Sequence, residues 1–192
     1  MGSSGAQRRA LFVIDLQHGL ATNPSSRVAR GDELKLAASS LLDTVRGSGD
    51  TLVVVVQHEE TPESGDLVRG TEPWKVEFEP RPDDDNEWLV AKTTPSAFDS
   101  NPDLADRLRA AGVSEIVALG IQSDCCVQAT CNGALDKGFG VTVLAGAHST
   151  YDFEGKTAAE IEKAVEDGLA ARGAKILKWE DAAAQWAATP SA

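Results

Sequence analysis

Apolar residues along this chain come in short unbroken blocks, separated by stretches with helical spacing. The blocks are 10–15, 52–56, 89–92, 116–121, 141–144 and 176–179. Each is too short for a helix and apolar on consecutive positions, as in strands buried on both faces of a parallel sheet. Segment 32–46 carries Leu34, Leu36, Ala37, Leu41, Leu42 and Val45 at helical spacing, with Gly47 and Gly49 as its stop. Helices are likewise predicted over 101–111, with Pro102 near the first turn and Gly112 at the end, and over 124–137 closed by Gly138. Two more are predicted over 157–172, closed by Gly173, and over 180–187.

This alternation predicts an α/β fold, a three-layer α/β/α sandwich around a mostly parallel, six-stranded, Rossmann-like sheet. Ligands of such sheets bind beyond the carboxyl ends of the strands. Asp15, His58, Lys92 and the segment after Ile121 belong to that edge. Residues 59–87 break the rhythm with Pro62, Pro73, Pro80 and Pro82, and read as a long loop over the crevice. Trp74 and Phe78 argue for partial ordering of that loop, and Asp83-Asp84-Asp85 reads as a solvated turn. With no linker break, residues 10–192 form one domain and residues 1–9 a flexible N-terminal tail that lacks the apolar core of a signal peptide.

Composition narrows the partners. Apolar residues make up 42% of the 192, enough for a shared core. A net charge of -12 argues against binding to a phosphate backbone, so no nucleic acid is expected. No apolar run approaches a membrane span, so no membrane association is expected either. Cys125, Cys126 and Cys131 lie within one short segment, where neighbours are poor disulfide partners. Free thiols and a cytoplasmic location follow as expectations. Their spacing is not that of a zinc site.

A carboxylate, an amine and a thiol gathered at one sheet edge can move a proton, hold a charge and attack a carbonyl. Asp15 and Lys92 each end an apolar strand, where an unpaired charge is costly, and together they read as a buried ion pair. Ser123 or Asp124 can cap the helix after Ile121, which puts Cys125 and Cys126 in a first turn that favours a thiolate. Position alone leaves both cysteines open as the nucleophile, whereas Cys131 lies deeper in the helix and reads as packing. His58 reads as a pocket residue, with no second histidine at ligand spacing. A serine nucleophile elbow and glycine-rich phosphate loops are both missing, which argues against serine-hydrolase and nucleotide chemistry.

At these residues the chain resembles the isochorismatase-like cysteine hydrolase superfamily, which includes nicotinamidases and N-carbamoylsarcosine amidase. Leu11-Phe12-Val13-Ile14-Asp15-Leu16-Gln17 resembles the family's opening strand, and Gly70-Thr71 with Trp74 a later motif. Lys92-Thr93-Thr94-Pro95-Ser96-Ala97-Phe98 resembles its lysine segment. Gly120-Ile121-Gln122-Ser123-Asp124-Cys125-Cys126-Val127 resembles its nucleophile loop. The resemblance implies Cys126 as nucleophile, Asp15 as base and Lys92 as its partner. It further implies a cis peptide joining Ile121 to Gln122, and an oxyanion hole from the Gln122 and Cys126 N–H groups. Trp74, His58 and Tyr151 are candidate substrate contacts.

Nicotinamidases of this fold carry a histidine set for a metal, whereas the matching stretch here is Gln57-His58-Glu59-Glu60. No metal and no cofactor are therefore expected. The expected activity is hydrolysis of an amide or carbamoyl C–N bond of a small molecule through a thioester on Cys126. The rivals are an isochorismatase-type ether hydrolase with an incidental cysteine and a non-catalytic binding protein with a relic triad. A homo-oligomer, dimer or tetramer, is expected, since sheets of this kind often associate.

Overall fold

In a computed structural model, which describes residues 8–188, six strands form one sheet in the order β3-β2-β1-β4-β5-β6. They are β1 (Arg8–Ile14), β2 (Leu52–His58), β3 (Glu87–Lys92), β4 (Val113–Ile121), β5 (Gly140–Ser149) and β6 (Lys175–Lys178). All five neighbouring pairs are parallel. The six apolar blocks each fall within or at the end of one of these strands. Arg8 and Arg9 belong to β1 rather than to the expected tail, whose residues 1–7 lie outside the described residues.

Alternation of side chains across the strands divides the core in two. Ala10, Phe12 and Ile14 pack on one face with Leu104, Leu108, Cys131 and Leu169. These partners come from α4 (Leu104–Ala110), α5 (Gln128–Asp136) and α6 (Ala158–Ala171). Leu11 and Val13 pack on the other face with Leu34, Leu41 and Trp186, from α2 (Gly31–Ser48) and α7 (Trp179–Ala187). Helices thus cover both faces, giving the three layers. The short helices α1 (His18–Ala21) and α3 (Ala97–Ser100) sit just beyond β1 and β3. Among the described residues, no helix is long and apolar enough to cross a membrane.

Two local expectations are corrected. The helix expected over 101–111 is present as α4 but starts later, at Leu104, and a separate short helix, α3, precedes it. Ser96 caps α3 through the Phe98 N–H, and Pro102 has no N–H with which to carry that helix onward. Strand β5 also runs past Leu144 to Ser149, because its pairing with β4 skips a step between Ala118 and Gly120 and then resumes at Gly120 with His148. His148 therefore lies in β5.

The strand order reverses between β1 and β4, the switch point where parallel sheets open a crevice. Gly120 makes the close approach there. Its φ is +137°, and a Cβ would fall 2.0 Å from the Ile14 carbonyl oxygen. Gly120→Ala is expected to cost roughly 3 kcal/mol or more, from backbone strain and the clash together. A urea midpoint equal to wild type would contradict this.

Candidate active site

Three strand ends and one turn deliver the site. Asp15 follows β1, with its backbone in the left-handed region at φ 49° and its N–H bonded to the Val56 carbonyl at 3.0 Å. Aspartate tolerates that conformation better than most residues. His58 and Lys92 end β2 and β3 as register partners. Cys126 lies in a π-helical turn, Ser123–Val127, entered through a cis peptide between Ile121 and Gln122. The Gln122 carbonyl accepts the Cys125 and Val127 N–H groups at 3.2 and 3.0 Å, the second being the long-turn bond that widens the helix.

The capping expected of Ser123 and Asp124 is not made, since Gln122 is the N-cap and no side chain closes it. Ser123 Oγ instead lies 2.8 Å from His148 Nδ1, and Asp124 Oδ1 accepts from the Thr150 hydroxyl at 2.6 Å. Both side chains are spent tying the turn to the end of β5. Beside them Ser149 donates to Glu162, which pairs with Arg30 at 2.9 Å.

Lys92 Nζ is the hub. It lies 2.7 Å from Asp15 Oδ2, 3.2 Å from Cys126 Sγ, 3.1 Å from His58 Nδ1 and 3.2 Å from the Thr94 carbonyl. The close Asp15–Lys92 approach is an ion pair without hydrogen-bond alignment, so both carboxylate oxygens remain buried without a directed hydrogen bond. An ammonium has no acceptor, so His58 Nδ1 must offer its lone pair. His58 is accordingly held below its ordinary pKa, first by burial and then by the Lys92 charge.

Two acids therefore face one ammonium. Burial drives the Asp15 carboxyl well above the usual range, and the nearby Cys126 sulfur adds to this while Lys92 opposes it. The hydrogen bond with Cys125 and then burial push the Cys126 thiol up, again against Lys92. Burial alone would depress Lys92, but the charges of Asp15 and Cys126 hold it above its ordinary value. Both acids are thus held above their ordinary ranges beside the ammonium, and the three groups titrate as a coupled set.

Cys125 Sγ is 3.9 Å from Cys126 Sγ, and its thiol is drawn down to about 7, chiefly by that contact and against burial. Of the two sulfurs, Lys92 contacts that of Cys126. Cys131 is buried in the core, where burial raises its thiol to about 12.

Asp15, His58 and Cys126 offer possible metal-ligand atoms within 4.8 Å of one another. Lys92 Nζ already stands among them, within 3.2 Å of each residue. A divalent ion there would meet an ammonium, so the arrangement does not fit a metal centre. The other two histidines are elsewhere, His18 on Glu72 at 2.8 Å and His148 on Ser123.

The site opens into a cavity of about 300 Å³ whose wall includes Asp15, Gln122, Cys126, His58 and Tyr151. Tyr151 is pinned by its hydroxyl, which donates to the Ser26 carbonyl at 2.5 Å. Trp74 is not on that wall. Its carbonyl accepts from the Gln17 and Gln57 amides at 2.7 and 3.0 Å, which anchors the long loop. Gln17, which closes the opening-strand motif, has a role that the motif does not disclose. Its buried amide also donates to the His58 carbonyl and accepts the His58 N–H, at 3.0 and 2.9 Å. A polar side chain two residues after Asp15, at the end of an apolar run, is the available signal.

The family model for the isochorismatase domain matches residues 9–181. A streptothricin hydrolase of Streptomyces noursei is 34% identical over 146 residues, which cover 75% of this chain and 55% of that protein. The chain thus spans little more than half the length of this relative. A solved isochorismatase-like hydrolase from Alkaliphilus metalliredigens superposes with a TM-score of 0.79 at 23% identity, covering 93% of this chain and 99% of that one. A pyrazinamidase of Pyrococcus horikoshii, solved in complex with zinc, gives 0.74 at 24% identity, covering 88% and 98%. At these identities the two structures are alike in fold.

Proposed function

The chain belongs to the isochorismatase family, and from that premise we propose that it is a cysteine hydrolase cleaving an amide or carbamoyl C–N bond of a small molecule. The supporting observation is the single ammonium of Lys92 held within 3.2 Å of both Asp15 and Cys126 at the foot of a cavity. In this reading Asp15 takes the Cys126 proton, and the thiolate, matched by Lys92, attacks the carbonyl carbon. The Gln122 and Cys126 N–H groups face the developing oxyanion, where each such donor contributes about 3 kcal/mol. Asp15 returns the proton to the departing nitrogen as the C–N bond breaks, leaving a thioester on Cys126. Water then attacks the thioester and gives up a proton to Asp15. As the C–S bond breaks, Asp15 passes that proton to the departing Cys126 sulfur, and the product leaves as the acid.

An amide and carbamoyl panel read by ammonia release tests this, with Cys126→Ala as control. Ammonia release that survives in that variant would sink the mechanism. The Lys92 charge lowers the Asp15 pKa against burial. Its removal in Lys92→Met should therefore raise that pKa, and the acid limb of the kcat/KM profile should move to higher pH. A limb that stays in place or moves down would show that Lys92 does not set the charge of Asp15.

A further inference from the structure

We infer that the substrate carries a cationic group, an ammonium or guanidinium, and that Glu60 and Asp66 on the cavity wall receive it. This rests on the amidohydrolase reading above. Among the described residues, the wall presents the carboxylates of Asp15, Glu60 and Asp66, and no lysine or arginine. Lys92 lies behind it with its side chain fully enclosed and its charge matched by Asp15 at 2.7 Å. Arg69, the cation of the neighbouring loop, is committed to Glu59 at 2.7 Å. An anionic substrate would be mismatched to such a wall, whereas a cation would meet charge-assisted acceptors.

Glu60 is positioned in advance. Its Oε2 accepts the Leu67 N–H at 2.9 Å, and its own N–H donates to the Leu67 carbonyl at 2.9 Å. Gly65 makes room for this, since a Cβ there would lie 2.0 Å from Glu60 Oε2. Asp66 is exposed at the same loop, and its carboxylate has no hydrogen bond or ion pair among the described residues. Independently of these two, the Asp15 oxygens are completely buried, without a directed hydrogen bond, and on the same cavity. Beyond the Lys92 ion pair on Oδ2, Asp15 Oδ1 is a buried acceptor without a hydrogen bond beside this cavity, a group that calls for a donor from a ligand. The loop carboxylates supply the selectivity for its charge, and a fixed acceptor loses little freedom on binding.

The test is a homologous series of ω-amino amides, each set against the alkyl amide of equal length. Wild type should favour the ammonium member by about tenfold in kcat/KM at its best chain length. The preference should shrink as salt screens the carboxylates. Glu60→Gln, Asp66→Asn and Gly65→Ala, the last by displacing Glu60, should each reduce it. Hydrolysis with equal rates within every pair, or a preference that all three variants keep, overturns the cation assignment and leaves the amidohydrolase reading standing. If wild type hydrolyses neither member, calorimetry on Cys126→Ala decides. Selective binding of the ammonium amides would keep the cation assignment and sink the amidohydrolase reading, and no selectivity would sink both.

Discussion

Cys126→Ala is expected to lose measurable ammonia release from any amide, a fall of at least about a thousandfold, with the fold intact. Of the two thiols on the cavity wall, that of Cys126 is the one in contact with the ammonium, at 3.2 Å. Its removal leaves Lys92 still paired with Asp15 at 2.7 Å, so no buried charge is stranded. Thermal unfolding should therefore match wild type. Alkylation of the wild-type thiol should abolish activity in parallel, with the added mass mapped to Cys126 by peptide mass spectrometry. An ether hydrolase with an incidental cysteine would instead survive alkylation.

Asp15→Asn should lower turnover by roughly a hundred- to ten-thousandfold, the span of general acid–base contributions. Its signature differs from that of the alanine variant. Wild type sets two acids against one ammonium, with Asp15 held above its ordinary pKa chiefly by burial and Cys126 by its contact with Cys125 and then by burial. Once the carboxylate is replaced by an amide, the Lys92 charge has only the sulfur to match it. Alkylation at Cys126 should then persist or quicken while hydrolysis fails, because no acid remains to protonate the departing nitrogen. Loss of alkylation together with turnover would mean that Asp15 maintains the pocket rather than moving protons through it.

Asp15 and Lys92 are legible in the sequence because a charge that closes an apolar strand has few bland explanations. Their convergence requires the strand order, which places β1 beside β4 and β2 beside β3. The turn carrying Cys126 reads as an ordinary capped helix because Ser123 and Asp124 are good capping types. Their real partners, His148 and Thr150, are 25 and 26 residues away, beyond any local pattern. His148 reaches Ser123 through a break in the β4–β5 register that apolar periodicity does not register. Position cannot choose between Cys125 and Cys126, and the motif resemblance favours Cys126. The geometry adds an independent distinction, the ammonium contact on one sulfur. Glu60 and Asp66 escape sequence reasoning because they lie in a proline-rich loop where acids look merely solvated.

Gln17 gives that loop its mechanical character. Through one amide it grips both the His58 peptide and the Trp74 carbonyl, while its backbone bridges Val76. At the far end Arg46 and Arg81 converge on the Glu87 carboxylate at 2.8 and 2.5 Å. The segment is thus an arch resting on fixed abutments, not a flap on a hinge. Its crown around residues 61–66 is held by local turn bonds of Thr61 with Ser64 and Gly65 rather than by the sheet, so admission to the cavity is expected to depend on local flexing there. Amide exchange should accordingly be slow at His58 and fast at the crown, with the gatekeeping done by a few residues rather than by the loop as a whole.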